Sequence, residues 1–424
     1  MARRVFLHVG LPKSGTTFLQ AALVEHKQKL MHDADLLFPG ESWMDQVRAV
    51  RDVRHMRGAP RGRASVRGAW RRLAKEICDW PGDAVVSMEW LARAKPDQIR
   101  RVVDDLQPAE VEVVFTVRDL GRTIPASWQE SVQNRHGWSW EEFVAALVAD
   151  ADQRDKPRRM FWNLHDLLQL MPHWLEAVPP DRVHVVTVPG PASPSTLLWE
   201  RFCEVLGVDS SGYNTEGLTK NEMLGLESVE LIRRLNPRTR GIGMSDSTYK
   251  LIFSRGLAKS GLALRDQPQS RVVLPPERHA WVRERAAEDV EFIEEAKVRV
   301  VGDLADLEPV LPAEASRGPE EIGDDELLDI ALDAMVILGL RGEASLRAVR
   351  ESRERAEIKH AEEVRELTRQ NARLTRQNDR MRSRLSQLGA RPIRTALGVY
   401  GHRHPRVVAV LGRRPANRRR TRET

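Results

Sequence analysis

The sequence predicts an α/β protein of the P-loop type, with a mostly parallel sheet flanked by helices and a helical coiled coil toward the C-terminus. Strand-like apolar runs alternate with helical patterns over residues 1–312, and such alternation favours parallel strands joined by helices. Two of these runs, Val5–Val9 and Val111–Val117, each lead into a polar turn that can hold an anion. Farther along, a heptad pattern that begins at Val364 predicts the coiled coil.

The other elements follow from periodicity and from end signals. Ser139 and Glu142 form a capping box at the start of a helix, and Gly207 is a typical helix stop. The further predicted strands are Ala84–Met88 and Arg182–Val188. The predicted helices are Ala69–Asp79, Pro96–Leu106, Ser139–Val148, Phe161–Ala177, Thr196–Leu206 and Leu327–Leu340. Both anion turns therefore leave the carboxyl ends of strands, which is where open α/β sheets bind ligands.

The turn after Val5–Val9 has the composition of a phosphate-binding loop. Gly10 and Pro12 break the strand, and helical spacing resumes at Phe18. A helix that begins after such a turn directs its free N–H groups and its positive end at an anion. Lys13 adds a positive charge. The hydroxyl donors are Ser14, Thr16 and Thr17, on either side of Gly15.

The residue order in this loop differs from that of the common nucleotide loop. In the pattern G-x-x-x-x-G-K-[ST] the lysine follows the second glycine, whereas here Lys13 precedes Gly15. The loop closely resembles the 5′-phosphosulfate loop of sulfotransferases that use 3′-phosphoadenosine 5′-phosphosulfate (PAPS). The resemblance implies that residues 13–17 hold the phosphosulfate, that Phe18 lies near the adenine, and that Lys13 is catalytic.

A second segment resembles the sulfotransferase clamp for the 3′-phosphate. Arg118 follows Val111–Val117 directly, and we expect Pro125 in the first turn of the helix that comes next. An arginine grips a phosphate through two parallel hydrogen bonds, which a lysine cannot do. An ATP-dependent kinase has no 3′-phosphate to hold, so this segment favours PAPS over ATP.

The resemblance also assigns Ser127 to the 3′-phosphate, with one departure from the family pattern. Many sulfotransferases carry the serine eight residues after the arginine, where this chain has Ala126. One residue rotates a helical side chain by about 100°. Either the turn after Arg118 is one residue longer here, or Ser127 does not contact the phosphate.

The candidate general base is Glu89, at the carboxyl end of the strand Ala84–Met88. A carboxylate at that end lies on the side of the sheet where the phosphate loop opens, and it can accept the proton of an acceptor hydroxyl. Several sulfotransferase branches use a glutamate after this strand, and others use a histidine. His8 in the first strand and His136 near Trp138 are the alternatives.

The resemblance covers about residues 1–310 and implies a sulfotransferase-like, PAPS-binding domain at 1–312. We expect a linker and helix at 313–342, a coiled coil at 343–390 and a basic tail at 391–424. The predicted function is transfer of a sulfuryl group from PAPS to an acceptor hydroxyl, or an amine, on an unidentified small molecule, glycan or lipid. The alternatives are a P-loop kinase and a non-catalytic coiled-coil scaffold with a degenerate sulfotransferase fold.

The cysteine content excludes two classes of small domain. Only Cys78 and Cys203 occur, far apart and without cysteine or histidine companions, so neither a zinc cluster nor a disulfide scaffold is expected. We therefore expect no metal in the reaction, and a protein of the cytoplasm. No apolar run approaches the length of a membrane span.

Residues 40–75 are rich in arginine, and glycines and prolines interrupt the segment. The interpretation that we favour is a solvated excursion of loop and helix. The alternative is a patch that binds an anionic substrate. The arginines are Arg48, Arg51, Arg54, Arg57, Arg61, Arg63 and Arg67.

The heptad predicts self-association. With the a positions at Val364, Asn371, Asn378 and Leu385, every d position is leucine or methionine. Asparagine at a fixes register and favours a parallel dimer, at some cost in stability. A single charged helix lying on the enzyme is the competing interpretation.

The tail 391–424 accounts for the basic character of the chain. It holds ten arginines and one acid, a charge of +9, whereas the whole chain carries +6, so residues 1–390 carry −3. Such a tail can bind an anionic membrane surface, which its interleaved apolar residues favour, or nucleic acid or an acidic glycan. A solvated, disordered end is equally compatible with this composition.

Overall fold

The computed structural model describes residues 2–56, 66–149, 155–218, 224–264, 270–312 and 317–387. The chain divides into two compact units, Met1–Arg341 and Gly342–Thr424. The first unit contains the sheet and both anion turns. The predicted tail 391–424 lies outside the described residues, so its expected role stays a prediction.

In the described part of the chain, six strands form one sheet, and every neighbouring pair in it is parallel. The strands are β1 Arg4–Gly10, β2 Leu36–Leu37, β3 Asp83–Ser87, β4 Glu110–Val117, β5 Val183–Thr187 and β6 Arg299–Val301. Their order, β2-β3-β1-β4-β5-β6, puts β1 between β3 and β4. From β1 the chain runs to the edge strand β2, returns to β3 beside β1, and then crosses to β4 on the other side of β1. The carboxyl ends of β1 and β4 therefore border the crevice where such sheets bind ligands.

Helices cover both faces of the sheet and continue beyond it. They are α1 Thr16–Glu25, α2 Lys27–Asp33, α3 Trp43–Val53, α4 Ala69–Asp79, α5 Pro96–Asp105, α6 Leu120–Gln133, α7 Trp140–Val148, α8 Lys156–His165, α9 Leu167–Leu175, α10 Leu197–Leu206, α11 Leu226–Gly241, α12 Asp246–Tyr249, α13 His279–Glu295 and α14 Asp324–Gln387. A 3₁₀ turn at Glu89–Arg93 follows β3, and α12 continues as a π-helix at Lys250–Lys259.

The central strand shows why the sheet is buried on both faces. Val5, Leu7 and Val9 pack into one apolar cluster, whereas Phe6 packs into a second cluster on the opposite face. All four side chains are buried. Because successive residues of a strand point to opposite faces, a nearly continuous apolar run is what a doubly covered parallel strand requires. The predicted α/β class, with a mostly parallel sheet flanked by helices, is confirmed.

Two local predictions were wrong. The helix predicted for Phe161–Ala177 is two helices, α8 and α9, which meet at Asp166. Asp166 has an extended backbone and pairs with Arg285 at 3.1 Å, and aspartate favours such a helix-start position over a helix interior. Pro125 lies in the second turn of α6, because Asp119 caps that helix directly after Arg118 and the helix begins at Leu120.

Helix α14 spans the region where a linker helix and a separate coiled coil were expected. Its first part packs on the first unit through Leu327, Ile330 and Ala334, which are buried. The side chains of residues 342–386 are all exposed. No helix within the described ranges is both long enough and apolar enough to cross a membrane.

Candidate functional site

The backbone of the loop between β1 and α1 requires glycine at two positions, Gly10 and Gly15. Gly10 has φ 88°, and a Cβ there would meet the Cβ of Glu89 at 2.7 Å. Gly15 has φ 82°, caps α1, and a Cβ there would meet Leu198 at 2.3 Å. Both positions therefore require glycine. The first N–H groups of α1 have no carbonyl within the helix to bond, so they are available to an anion.

Lys13 has φ 63°, an uncommon backbone conformation for a residue with a side chain. Its Nζ lies 2.6 Å from Oε2 of Glu130, on α6. Burial raises the pKa of Glu130, but the charge of Lys13 and its hydrogen bond outweigh that effect, and the pKa lies below its ordinary value. The predicted catalytic lysine is thus already paired with a carboxylate.

Ser14 is turned into the protein rather than toward an anion. Its hydroxyl donates to the carbonyl of Leu11 and lies 2.5 Å from Oγ1 of Thr116, and the side chain is buried. The expected hydroxyl donors Thr16 and Thr17 line the site cavity. Ser14 contributes to the shape of the loop in this arrangement.

His8 lies beneath the loop as part of the same polar network. Its Nδ1 is 2.7 Å from Oγ of Ser87 on β3, and its Nε2 is 3.1 Å from Oγ1 of Thr116 on β4. Burial lowers the pKa of His8 to about 3, so the ring is neutral at physiological pH. Both ring nitrogens are occupied, which leaves neither free for an acceptor proton. The network connects three strands to the loop through Ser14.

Arg118 links the two anion elements. Its Nη1 donates to the carbonyl of Lys13 at 3.2 Å. The neighbouring Asp119 pairs with Arg122 and accepts from the first turn of α6, so its carboxylate is already engaged. Burial lowers the pKa of Arg118 to about 10, with a further contribution from Arg122 that Asp119 opposes. The Nε of Arg118 is buried and has no hydrogen-bond partner among the described residues.

Ser127 and His165 form a pair at the cavity wall. Oγ of Ser127 lies 3.1 Å from Nε2 of His165, the last residue of α8. Burial lowers the pKa of His165 to about 3. Its Nδ1 is buried without a hydrogen-bond partner in the described part of the chain. Ser127 therefore faces the cavity, but its hydroxyl is already close to a histidine.

Glu89 opens the 3₁₀ turn that follows β3. Its Oε2 accepts a hydrogen bond of 3.0 Å from Nε2 of Gln20, and the same amide nitrogen donates to the carbonyl of Ser87 at 3.3 Å. Gln20 lies on α1, which starts at the phosphate loop. The carboxylate is thus held by the helix that follows the loop, and it lines the same cavity.

Most of the predicted site residues line one cavity of about 770 Å³. The predicted residues that line it are Lys13, Gly15, Thr16, Thr17, Phe18, Glu89, Arg118 and Ser127. Ser14 does not line it. The other residues that line it include Trp90, Gln129, Glu130, Met160, Phe161, Leu164, His165 and Lys259. Residues from β1, β3 and β4 thus meet at the carboxyl ends of their strands, and α6 and α8 close the wall.

Sequence reasoning missed three titratable residues of this cavity, namely Glu130, His165 and Lys259. Glu130 is three positions after Ser127 on α6, so helical spacing put it on the same face as the predicted clamp. His165 gave no such signal, because it lies in a helix that is remote in sequence. Lys259 ends the π-helix, and no pattern in the sequence indicated that element.

His136, the other alternative base, is not among the residues that line the cavity. Its ring stacks on Trp138, with centroids 4.3 Å apart and planes 5° apart. Burial and the charges of Lys156 and Arg240 lower the pKa of His136 to about 4. Among the described residues, no group of three or more His, Cys, Asp or Glu side chains is arranged to hold a metal ion.

No family model matches this chain, and no curated protein sequence matches it. Solved structures with a similar backbone include a sulfotransferase from Alicyclobacillus acidocaldarius, at 17% identity and a TM-score of 0.35, covering 59% of this chain and 100% of that one. The sulfotransferase domain from the curacin biosynthetic pathway is similar at 14% identity and a TM-score of 0.27, covering 49% and 75%. At such low identity and TM-score, no residue role is carried over from either structure.

Proposed function

We propose that this protein is a sulfotransferase that moves a sulfuryl group from PAPS to an acceptor hydroxyl or amine. The observation that carries the proposal is Arg118, a desolvated guanidinium that borders the same cavity as the β1 loop. Its Nε is buried and has no hydrogen-bond partner among the residues that the structure describes. A buried polar group without a partner is costly, and an oxyanion supplies the missing acceptor. Two anion elements in one cavity fit a nucleotide with phosphates at two places.

The residues of the cavity divide into binding and chemical roles. Thr16, Thr17 and the N–H groups at the start of α1 would hold the 5′-phosphosulfate, and Arg118 the 3′-phosphate. PAPS supplies the sulfuryl group, and negative charge grows on the departing 5′-phosphate oxygen as that bond breaks. Lys13 is the side-chain cation of the loop, and its role is to stabilise that charge.

Glu89 is our candidate for the group that takes the acceptor proton. Its carboxylate accepts from Gln20 and has no cationic partner among the described residues, whereas the carboxylate of Glu130 is bound to Lys13. A carboxylate that is not bound by a cation can accept a proton from a nearby hydroxyl. The Gln20 amide holds Oε2 of Glu89. The other carboxylate oxygen, Oε1, does not take part in that hydrogen bond.

Calorimetry with two nucleotides tests the proposal against its alternatives. The probes are 3′,5′-adenosine bisphosphate (PAP), the product that PAPS leaves, and ATP with magnesium. We expect PAP to bind at least tenfold more tightly than ATP, because ATP has no 3′-phosphate for Arg118. Tighter binding of ATP would favour a P-loop kinase. Binding of neither nucleotide would favour a non-catalytic scaffold.

We also propose that residues 343–390 form a parallel dimeric coiled coil. Val364, Leu367, Leu374, Met381 and Leu385, which occupy a and d positions, are each 47–61% exposed in the single chain. A repeated apolar seam exposed over several heptads is stabilised when a second helix covers it. The asparagines Asn371 and Asn378 would then face each other across the seam and set its register.

Light scattering on full-length protein and on a chain cut after Ala344 tests this association. We expect a dimer that becomes a monomer on truncation, with PAP affinity unchanged, because both anion elements lie before residue 130. A double change of Asn371 and Asn378 to Leu should raise the melting temperature of the coil and make its oligomer number heterogeneous. A monomeric full-length protein, or a dimer that survives the cut, would contradict the assignment of the seam.

The tail keeps its sequence-based interpretation. We propose that residues 391–424 contact an anionic surface, with a membrane leaflet favoured over nucleic acid, and that the enzyme works in the cytoplasm. Flotation with vesicles of neutral lipid, and with vesicles that contain anionic lipid, tests whether the tail binds an anionic leaflet. Salt-sensitive binding to the anionic vesicles alone is expected.

A further inference from the structure

The side chains of Ser127 and His165 join two helices of the cavity wall. Ser127 lies on α6, and His165 is the last residue of α8. Oγ of Ser127 lies 3.1 Å from Nε2 of His165, and both residues line the cavity. This is the one hydrogen bond that the Ser127 side chain makes with the described residues. Because a hydroxyl both donates and accepts, Ser127 can still bond to a ligand in the cavity.

The imidazole ring of His165 is held by its neighbours and shielded from water. The side chain is buried, and its ring centroid lies 4.6 Å from that of Phe161, one turn earlier on α8. Helix α8 ends at His165 because Asp166 has an extended backbone and leads into α9. The end of the helix and the packing of Phe161 thus hold the ring with Nε2 against Ser127.

One nitrogen of this ring donates a hydrogen bond and the other accepts. Burial lowers the pKa of His165 to about 3, so the ring is neutral at physiological pH and carries a single N–H. Nδ1 is buried, and no residue in the described part of the chain bonds to it. Proteins bury an N–H without an acceptor more rarely than an acceptor without a donor. The proton is therefore expected on Nε2, which donates it to Oγ of Ser127.

The direction of this hydrogen bond decides what Ser127 offers to a ligand. If Ser127 gave its proton to His165, only oxygen lone pairs would remain for the cavity, and these repel an anion. When His165 donates instead, the hydroxyl proton of Ser127 is left for an oxyanion, to which it makes a charge-assisted bond. We infer that His165 is a positioning residue, which sets Ser127 as a hydrogen-bond donor to the 3′-phosphate of the nucleotide. The inference rests on the proposed function and adds a residue from outside both anion elements.

Calorimetry on full-length protein tests this role with two ligands, PAP and adenosine 5′-phosphosulfate, which has no 3′-phosphate. His165→Met removes the donor and keeps an apolar side chain, so PAP should bind about tenfold more weakly and adenosine 5′-phosphosulfate as before. His165→Gln supplies an amide N–H in place of Nε2–H and should restore most of the PAP affinity. In a Ser127→Ala background, His165→Met should cause no further loss, because the two residues act through one bond.

Magnetic resonance reports the direction of the bond in the wild-type protein. In protein labelled with ¹⁵N in its histidines, correlations between ring nitrogens and carbon-bound ring protons identify the nitrogen that carries the proton. The signal of His165 is the one that His165→Gln lacks. We expect the proton on Nε2, both without ligand and with PAP bound. A residue that only filled space would impose no such choice of nitrogen.

The control and the contrary outcomes separate this inference from the proposed function. His173→Met, at a partly buried position of α9 outside the cavity, should leave both affinities unchanged, and thermal melting reports the folding of each variant. The inference is overturned if His165→Met binds PAP as tightly as the wild type or more tightly, if it weakens both ligands equally, or if Nδ1 carries the proton. Failure of the wild type to bind PAP would refute the proposed function instead. Should His165→Met not fold, undiminished PAP binding by Ser127→Ala, or an Nδ1 proton, would still overturn the inference.

Discussion

Lys13 and Arg118 are two cations of one cavity in opposite electrostatic situations. Lys13 is paired with Glu130 at 2.6 Å, and its ammonium group is therefore neutralised before any ligand arrives. Arg118 is partly buried, its neighbour Asp119 is engaged by Arg122, and its Nε has no described partner. The difference agrees with the proposal that Arg118 binds a permanent anion, and under that proposal Lys13 would exchange one partner for another.

This contrast assigns different tasks to the two residues. An unpaired, desolvated guanidinium gains most when a ligand binds, so Arg118 should contribute mainly to affinity. A lysine that gives up an existing ion pair gains less on binding. It contributes more where charge grows during the reaction, because only interactions that strengthen in the transition state accelerate turnover. The variants below test this division, from the largest expected effect to the smallest.

The largest effect is expected for Lys13→Ala. Turnover should fall by about a thousandfold, the upper range for removal of one group that stabilises developing charge. PAP affinity should change by no more than a fewfold, because PAP lacks the sulfuryl group and the backbone of the loop remains. Single-turnover kinetics with PAPS and calorimetry with PAP measure the two quantities. Equal losses in both would make Lys13 an anchor and remove the contrast with Arg118.

Glu89→Gln should lower turnover by roughly a hundredfold, which is the usual range for loss of a general base. The amide keeps the size of the side chain, so PAP affinity should stay as in the wild type. The control is Glu141→Gln, which makes the same change at an exposed position at the start of α7. Near-normal turnover of Glu89→Gln would transfer the role to Glu130 or His165, the other carboxylate and the histidine that line the cavity.

The sequence was sufficient to predict the sheet and the turns after β1 and β4 because their signals are local. An apolar run followed by Gly10 and Gly15, or by Arg118, encodes a strand end and its turn within a few residues. What the sequence could not predict depends on residues that meet only in the folded chain. His165 reaches Ser127 from another helix, and Glu130 reaches the loop from across the cavity.

The same limit applies to individual residues. The hydroxyl of Ser14 could be assigned to a phosphate from the motif alone, but Thr116 on another strand draws it inward.

Arg118→Ala should weaken PAP by about tenfold to a hundredfold, since a lost charge-assisted hydrogen bond costs on the order of 1.5–3 kcal/mol. Adenosine 5′-phosphosulfate has no 3′-phosphate, so its affinity should change far less. Calorimetry with both ligands on both proteins gives the comparison. An equal loss of affinity for the two ligands would mean that Arg118 supports the loop through the carbonyl of Lys13 and does not bind the 3′-phosphate.

The smallest effect is expected for Glu130→Gln, and it tests the partner exchange directly. The carboxylate of Glu130 competes with an incoming phosphate for Lys13, so its removal should tighten PAP binding. The side chain of Glu130 is 48% exposed, and exposed ion pairs contribute only about 0.2–1 kcal/mol, so the gain should not exceed about fivefold. In a Lys13→Ala background the same change should have no effect on PAP affinity, because the competition is then absent. An equal gain in both backgrounds would show that Glu130 repels the phosphate without holding Lys13. A loss in the wild-type background would show that the ion pair shapes the loop for binding.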